Sequence, residues 1–196
     1  MKKFFSSSPG LTLLETTIAL GILMLGILAS LTLMLSSFNY IQSSEDEIVV
    51  VNLAREGLEI VRSVRNNNSN PPSGETDVVD IFTGTFDNKS YLVDSGDNST
   101  LGISNQVANI SAGDINQCNA GDNAPCRLYL TSSGRYTHDY TAGEPTTFSR
   151  LVTIFSSPDG YSYEKKIVST VSWQVKGRTH VLSLETRLTD WQKSAN

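Results

Sequence analysis

The hydrophobic positions of this chain follow different patterns in successive regions, and the first region is the most apolar. From Leu11 to Leu35 the chain runs for 25 residues with only Gly, Ala, Ser, Thr and one charged residue, Glu15, among its large apolar side chains. A helix of that length rises by roughly 37 Å at about 1.5 Å per residue, which is enough to cross the apolar core of a bilayer. The segment therefore predicts a membrane-spanning helix.

Helical spacing continues after this segment, in "EDEIVVVNLAREGLEIVRSVRNNN". One apolar stripe comprises Ile41, Ile48, Val51, Ala54, Leu58 and Val61, and an offset stripe comprises Val50, Leu53, Gly57, Ile60 and Val64. Two stripes favour a two-sided helix, with one stripe on the chain's own sheet and the other against neighbouring helices. The alternative is that a single core buries both stripes.

The same helix carries charges on its remaining surface and has a clear end. Arg55, Glu59 and Arg62 are spaced to pair along a solvated face. Pro71 and Pro72 cannot continue a helix, so the helix is predicted from about Leu11 to about Asn66.

Toward the C-terminus the spacing of the apolar residues changes from helical spacing to the alternation of a β-strand. In β-type alternation, Ile167, Val171, Trp173 and Val175 lie on one face, and Thr170, Ser172 and Gln174 lie on the other. A turn at Lys176-Gly177 leads to a second alternating run, in which the apolar positions are Leu182, Leu184 and Leu188. The pattern predicts an antiparallel hairpin with one buried face that the long helix covers. The predicted fold class is therefore α+β.

Charge at the N-terminus gives the apolar segment an orientation. Lys2 and Lys3 precede it, so the positive-inside rule predicts a cytoplasmic N-terminus and an extracytoplasmic C-terminal domain. A cleaved secretory signal has a shorter apolar core, of about 7–15 residues. A plain signal anchor explains the length but not Glu15, because a carboxylate within a membrane helix costs about 2.5–3.5 kcal/mol on insertion scales. Ionisable groups at such positions normally have a partner or a function.

The other side chains capable of chemistry form no catalytic pattern. Cys118 and Cys126 in "QCNAGDNAPCR" predict a disulfide in an oxidising compartment, with free thiols as the alternative. His138 and His180 have no nucleophile or metal-ligand partner at a recognisable spacing and are predicted to be surface residues. The oxygen-rich segment around Cys118 lacks the order of a calcium loop. The sequence predicts no enzyme activity, no cofactor and no metal site.

The junction "GLTLLE" resembles the type III signal of type IV pilins and pseudopilins. In that family a prepilin peptidase cuts after a glycine, the new N-terminal residue is methylated, and the fifth mature residue is glutamate. The resemblance implies cleavage after Gly10, N-methylation of Leu11, and an assembly role for Glu15. Leu11 departs from the phenylalanine that usually begins the mature chain. Through this resemblance, Glu15 would pair with the α-amino group of a neighbouring subunit and set the register of assembly.

Two longer segments carry a finer resemblance within this family. "LAREGLEIVRSVRN" and "VSWQVKGRTHVLSLETRLTDW" are similar to the helix and final hairpin of PilV-like minor pilins and of I-class type II secretion pseudopilins. The implied fold is that of a type IV pilin. The implied organisation is a cleaved leader at 1–10, a transmembrane and filament-core helix at 11–36, its amphipathic extension at 37–66, a variable loop region at 67–126 and a sheet head at 127–196.

The function that this resemblance implies is that of a minor pilin-like subunit of a type IV pilus or a related cell-surface filament. Its partners would be other pilins, the prepilin peptidase, an inner-membrane assembly platform and membrane lipid. A type II secretion pseudopilin is the closest alternative, and an uncleaved membrane-anchored binding domain is an alternative of another class. Nucleic acid is disfavoured as a partner, because the chain has a net charge of −5 and nucleic-acid binding needs clustered Lys and Arg.

Overall fold

The computed structural model describes residues 12–69, 80–94, 103–108, 110–120, 124–157 and 159–191. Gly10 and Leu11, the predicted cleavage and methylation positions, lie outside these residues. The helices are α1 (Leu13–Ser69), α2 (Ile115–Cys118) and a 3₁₀ turn (Gly84–Phe86). The strands are β1 (Lys89–Val93), β2 (Ile103–Gln106), β3 (Arg127–Thr131), β4 (Tyr136–Thr137), β5 (Gly143–Ser156), β6 (Glu164–Val175) and β7 (Arg178–Thr189). The chain divides into two compact units, Met1–Asp46 and Glu47–Asn196.

In the first unit, the described residues form the N-terminal part of α1. The most apolar 18-residue window of this helix has a mean hydropathy of 2.5, and none of that window is buried. Among the described residues this is one helix that is long and apolar enough to cross a membrane. Ser and Thr hydroxyls along it donate to carbonyls three or four residues back, as Thr17 does to Leu14 O at 2.8 Å and Ser30 to Ile27 O at 2.8 Å. These internal bonds satisfy the hydroxyl donors without water.

In the second unit, α1 packs on the sheet through one broad face. Its buried residues belong to both predicted stripes: Val50, Leu53, Ala54, Gly57, Leu58, Val61 and Val64. The prediction of a two-sided helix is therefore wrong over Val50–Val64. Positions such as Leu53 and Ala54 lie about 100° apart around a helix, so the two stripes merge into one face wide enough to cover a sheet. Ile41 and Ile48 stay exposed.

The strands in the described residues form one antiparallel sheet with β5 at its centre. β6 pairs with one edge of β5. On the other edge, β3 pairs with the first half of β5 and β1 pairs with the second half. β2 extends β1, and β4 extends β3. The sheet thus reaches into region 67–126, where the sequence predicts a variable loop with a strand or two.

The C-terminal hairpin confirms the strand prediction and its turn. β6 and β7 pair from Glu164↔Thr189 to Val175↔Arg178. Lys176 and Gly177 both have positive φ, at 51° and 77°, as the two central residues of a type I′ hairpin turn require.

The prediction that only one face of this hairpin is buried is wrong. Thr170 and Ser172 point away from the α1-facing positions, yet both are buried, because the segment around α2 covers that face. A small core of Leu92, Ile115, Leu151 and the two cysteines lies there. Cys118 and Cys126 are bonded, with Cα atoms 5.7 Å apart, so the disulfide prediction is confirmed.

Candidate functional site

The first turn of α1 positions Glu15 through the residue that begins the helix. The backbone N–H of Glu15 donates to Thr12 Oγ1 at 3.3 Å and to Thr12 O at 3.0 Å. The N–H of Thr16 also donates to Thr12 O, at 3.2 Å. Thr12 therefore acts as the N-cap, and Glu15 stands three residues later, which is the spacing of a capping box. Sequence reasoning did not find this local role.

The electrostatic setting of Glu15 is simple. It is an acidic residue in the first turn, where the positive end of the helix dipole stabilises a carboxylate. Between Leu11 and Ser44 it is the one charged side chain in the sequence. It is exposed, and no cation of the described residues forms an ion pair with its carboxylate. A cation for this carboxylate would have to come from outside the described part of the chain.

Large apolar side chains surround the helix axis over the same region, and they are exposed. Leu13 is 83% exposed, Met24 63% and Leu35 64%. The positions between them cover all sides of the helix, which excludes an ordinary amphipathic surface helix. Such a surface is stable when it is covered by lipid or by other helices.

The structure brings together one pair of the predicted site residues. Cys118 and Cys126 are joined in the second unit, whereas Glu15 lies in the first unit. His180 is exposed and stacks on Trp173 with ring centroids 5.3 Å apart, as expected of a surface residue. Over the described residues, no group of three or more His, Cys, Asp or Glu side chains is arranged to hold a metal ion.

The prediction that His138 is a surface histidine is wrong. Its side chain is 4% exposed, and its Nδ1 lies 2.8 Å from Asp94 Oδ1. Its Nε2 lies 3.1 Å from the backbone oxygen of Arg150. Both ring nitrogens therefore lie within hydrogen-bond distance of an oxygen on another segment.

Arg150 is the centre of this polar cluster, and sequence reasoning missed it. Its side chain is fully buried. Nη1 donates to Leu53 O at 3.3 Å and Glu56 Oε2 at 3.1 Å, and Nη2 donates to Val93 O at 2.6 Å. The guanidinium thus links α1 to the end of β1. It is also 3.6 Å from Asp94 Oδ1.

The pKa of Asp94 reports this environment. Burial alone would raise the pKa of Asp94, but hydrogen bonds from His138 and the positive charges of His138 and Arg150 outweigh burial and lower it below its usual value. The cluster of Glu56, Asp94, His138 and Arg150 joins four segments of the second unit. Its charges compensate one another within the unit, so we interpret the cluster as structural.

No family model matches the chain, and neither a curated protein nor a solved structure gives a significant match to it. The class that the described residues define is thus a coarse one: an α+β protein with a long, exposed apolar helix near its N-terminus.

Proposed function

We propose that this chain is a minor pilin-like structural subunit of a type IV pilus or a related filament. The observation that carries the proposal is the position of Glu15. It is a lone charge in an exposed apolar helix, and it is the fifth residue after Gly10 in "GLTLLE".

The proposed mechanism is assembly by helix packing. Cleavage after Gly10 would create an α-amino cation at Leu11. A carboxylate in apolar surroundings costs free energy until a cation compensates its charge. Glu15 of one subunit would therefore form an ion pair with the α-amino group of another subunit as their helices pack. The pair would then fix the axial register between subunits. Exposed side chains such as Leu13, Met24 and Leu35 would leave lipid and pack on equivalent helices.

The second unit supports a structural role rather than a catalytic one. Its buried charged groups have internal partners, Arg150 in its cluster and Lys165 with Asp87, and its disulfide is buried. We infer that this unit is the extracytoplasmic head, and that the chain inserts first as a single-pass membrane protein. A type II secretion pseudopilin would use the same helix and head, and the two families share the motif that supports the proposal.

One observation favours a second candidate, an uncleaved membrane-anchored domain. The backbone N–H of Glu15 donates to Thr12, and Glu15 stands at the third helical position, where the glutamate of a capping box accepts from the N-cap N–H. In that account Glu15 stabilises its own helix, and no neighbouring subunit is needed.

Matched substitutions at the helix start separate the two accounts. Glu15→Gln keeps a side chain suited to a capping box but removes the charge, and Thr12→Ala removes the cap but keeps the charge. The measurement is the fraction of the chain recovered in sheared surface filaments, or in cross-linked assemblies, relative to the membrane fraction. Glu45→Gln, which removes an exposed charge beyond the apolar segment, is the control.

The filament proposal predicts that Glu15→Gln loses most of the assembled fraction, whereas Thr12→Ala and Glu45→Gln retain it. Normal assembly of Glu15→Gln would contradict the proposal. Recovery of the unchanged chain in the membrane fraction alone would favour the anchored domain.

A further inference from the structure

A polar cleft lies in the second unit, on the sheet face opposite α1. Ser172 and Gln174 of β6 lie on this face, since Val171 and Trp173, with the opposite parity, pack in the cluster that includes Val50 and Leu53 of α1. The cleft has a volume of about 420 Å³, which is within the range of about 300–1,000 Å³ for small-molecule sites. Its lining includes neither Glu15 nor a member of the Arg150 cluster.

The walls of the cleft are held in place by two internal contacts. The disulfide joins Cys118, the last residue of α2, to Cys126, which directly precedes β3. One wall carries Asn119, next to Cys118, and the other carries Arg127, next to Cys126. Asn119 Nδ2 also donates to Ser172 Oγ at 3.0 Å. The cleft is therefore preorganised, which lowers the entropic cost of binding a ligand.

Polar side chains without internal partners converge on this cleft. Six of its lining residues have side chains that form no hydrogen bond or ion pair with the described residues: Asn116, Arg127, Thr147, Ser149, Gln174 and Thr179. Ser149 is 8% exposed, so its hydroxyl lies at the floor rather than on open surface. The Oδ1 of Asn119 is buried and also lacks a hydrogen-bond partner.

The chemistry of the lining selects among ligand classes. The polar side chains are amides and hydroxyls with one guanidinium, and Ala124 and Trp173 complete the lining. Among the described residues, no carboxylate lines the cleft. Peptides and proteins bind through apolar anchors in pockets or by adding a strand to a sheet edge, whereas this cleft is polar and lies on a sheet face. One arginine is too few for a nucleic-acid backbone, which is bound by clustered cations. Hydroxyl and amide groups instead match the many hydroxyls of a sugar, and a guanidinium matches a carboxylate.

We propose that this cleft binds a short saccharide that carries a carboxylate, with the anionic group on Arg127 and the sugar hydroxyls on the surrounding amide and hydroxyl side chains. The proposal does not depend on the filament proposal, because it uses the second unit alone. A variant that assembled normally but did not bind the saccharide would separate the two proposals. A variant that bound the saccharide without assembling would also separate them.

The test is calorimetric titration of the full chain in lauryldimethylamine oxide micelles, whose headgroup contains neither sugar nor phosphate. The probes are digalacturonic acid, the neutral disaccharide cellobiose, the simple dicarboxylate glutarate and the acidic tripeptide Asp-Ala-Asp. We expect digalacturonic acid to bind more tightly than the other three. Arg127→Gln should weaken its binding by roughly tenfold, the usual effect of losing a hydrogen bond to a charged group. Gln174→Ala should weaken it by roughly threefold, as for a neutral hydrogen bond.

Arg135→Gln is the matched control, since Arg135 is also exposed but does not line the cleft. Its binding should equal that of the unchanged chain. Equal binding of glutarate and digalacturonic acid would overturn the proposal, because the hydroxyls would then not be recognised. Tighter binding of the tripeptide, binding of none of the probes, or equal losses in Arg127→Gln and Arg135→Gln would also overturn it.

Discussion

The two parts of α1 differ in what surrounds them, although they belong to one stretch of helical sequence. From Leu13 to Leu35 the helix is apolar on all sides and exposed, and Glu15 is its one charge. From Glu47 onward one face is buried against the sheet, and the charged residues Arg55, Glu59 and Arg62 lie outside that face. The apolar surface of the first part therefore needs lipid or other helices to cover it. The apolar face of the second part is covered by the sheet of its own unit.

The comparison also shows two uses of a carboxylate on a helix. Glu56 meets the buried guanidinium of Arg150 within the chain, at 3.1 Å. Glu15 has no such cation in the described residues. This contrast is the physical basis for proposing that Glu15 is satisfied by another subunit. The following predictions test the contrast between the exposed and buried parts.

The largest effect is expected when the buried cation is removed. Arg150→Met leaves Glu56 without its internal cation and Asp94 with His138 alone. Losing one member of a buried ion pair typically costs about 3–5 kcal/mol. The free energy of unfolding of the second unit, followed by tryptophan fluorescence in urea, should fall by that amount. The exposed arginine variant Arg178→Met should leave it almost unchanged. Equal stability of both variants would show that the cluster does not hold the second unit together.

A smaller, pH-dependent loss is expected at Asp94. Because its pKa is lowered in the folded chain, the carboxylate stabilises the fold above its unfolded pKa of about 3.9, and this contribution is lost as the pH falls through that value toward the folded pKa. Asp94→Asn should cost about 1–3 kcal/mol at pH 7, from lost hydrogen bonds to a charged group. The difference from the unchanged chain should shrink between pH 5 and pH 3, which urea unfolding at each pH measures. A difference that stays constant with pH, or one that Glu185→Gln reproduces, would contradict this role.

The same glycine substitution should give opposite results in the two parts of α1. A Cβ at Gly57 would lie 2.6 Å from Ser169 Oγ and 3.1 Å from Val152 Cγ2, so these buried side chains or the helix itself would have to shift. Overpacking costs about 1–3 kcal/mol and the gain in helix propensity is about 1 kcal/mol, so we expect Gly57→Ala to destabilise the second unit by about 1 kcal/mol. A Cβ at Gly21 meets nothing within 4 Å, so Gly21→Ala should not lower that stability. Thermal unfolding of both variants tests this, and a stabilised Gly57→Ala would refute the close contact.

The smallest effect is expected on the solvated face of α1. Glu59 forms an ion pair with Arg62, and the two side chains are 62% and 39% exposed. Solvent screens such pairs, so Glu59→Gln should cost only about 0.2–0.5 kcal/mol, and the loss should disappear at high salt. Urea unfolding with and without 1 M NaCl measures it. A loss above 1 kcal/mol would mean that this face is covered by something other than solvent.

Local patterns were sufficient to predict several elements. The extent of α1, the hairpin of β6 and β7 and the disulfide are confirmed, because each depends on nearby residues: helical spacing before Pro71, a two-residue turn at Gly177, and a short loop between the cysteines. The pairing of β1 with β5 was not predicted, because it joins segments about 60 residues apart with no local signal.

The errors have a common cause in tertiary contacts. His138 is buried by partners on other segments, Asp94 and the backbone of Arg150. Arg150 itself did carry a signal: on β5 it has the same parity as Phe148, Val152 and Ile154, all of which are buried. A charged residue at that position predicts a buried, partnered cation. The position of Glu15, five residues after Gly10, can be read from the sequence. The cation that pairs with its carboxylate cannot, because in the proposed filament it belongs to another subunit.

The most direct test of the central claim is the intact mass and N-terminal peptide of the chain purified from its native membrane. The filament account predicts a mature chain that begins at N-methylated Leu11, and loss of that form when the prepilin peptidase is deleted. A chain that still begins at Met1, in cells where other pilins are processed, would contradict the account. The capping role of Thr12 and Glu15 in an uncleaved anchor would then be the better explanation.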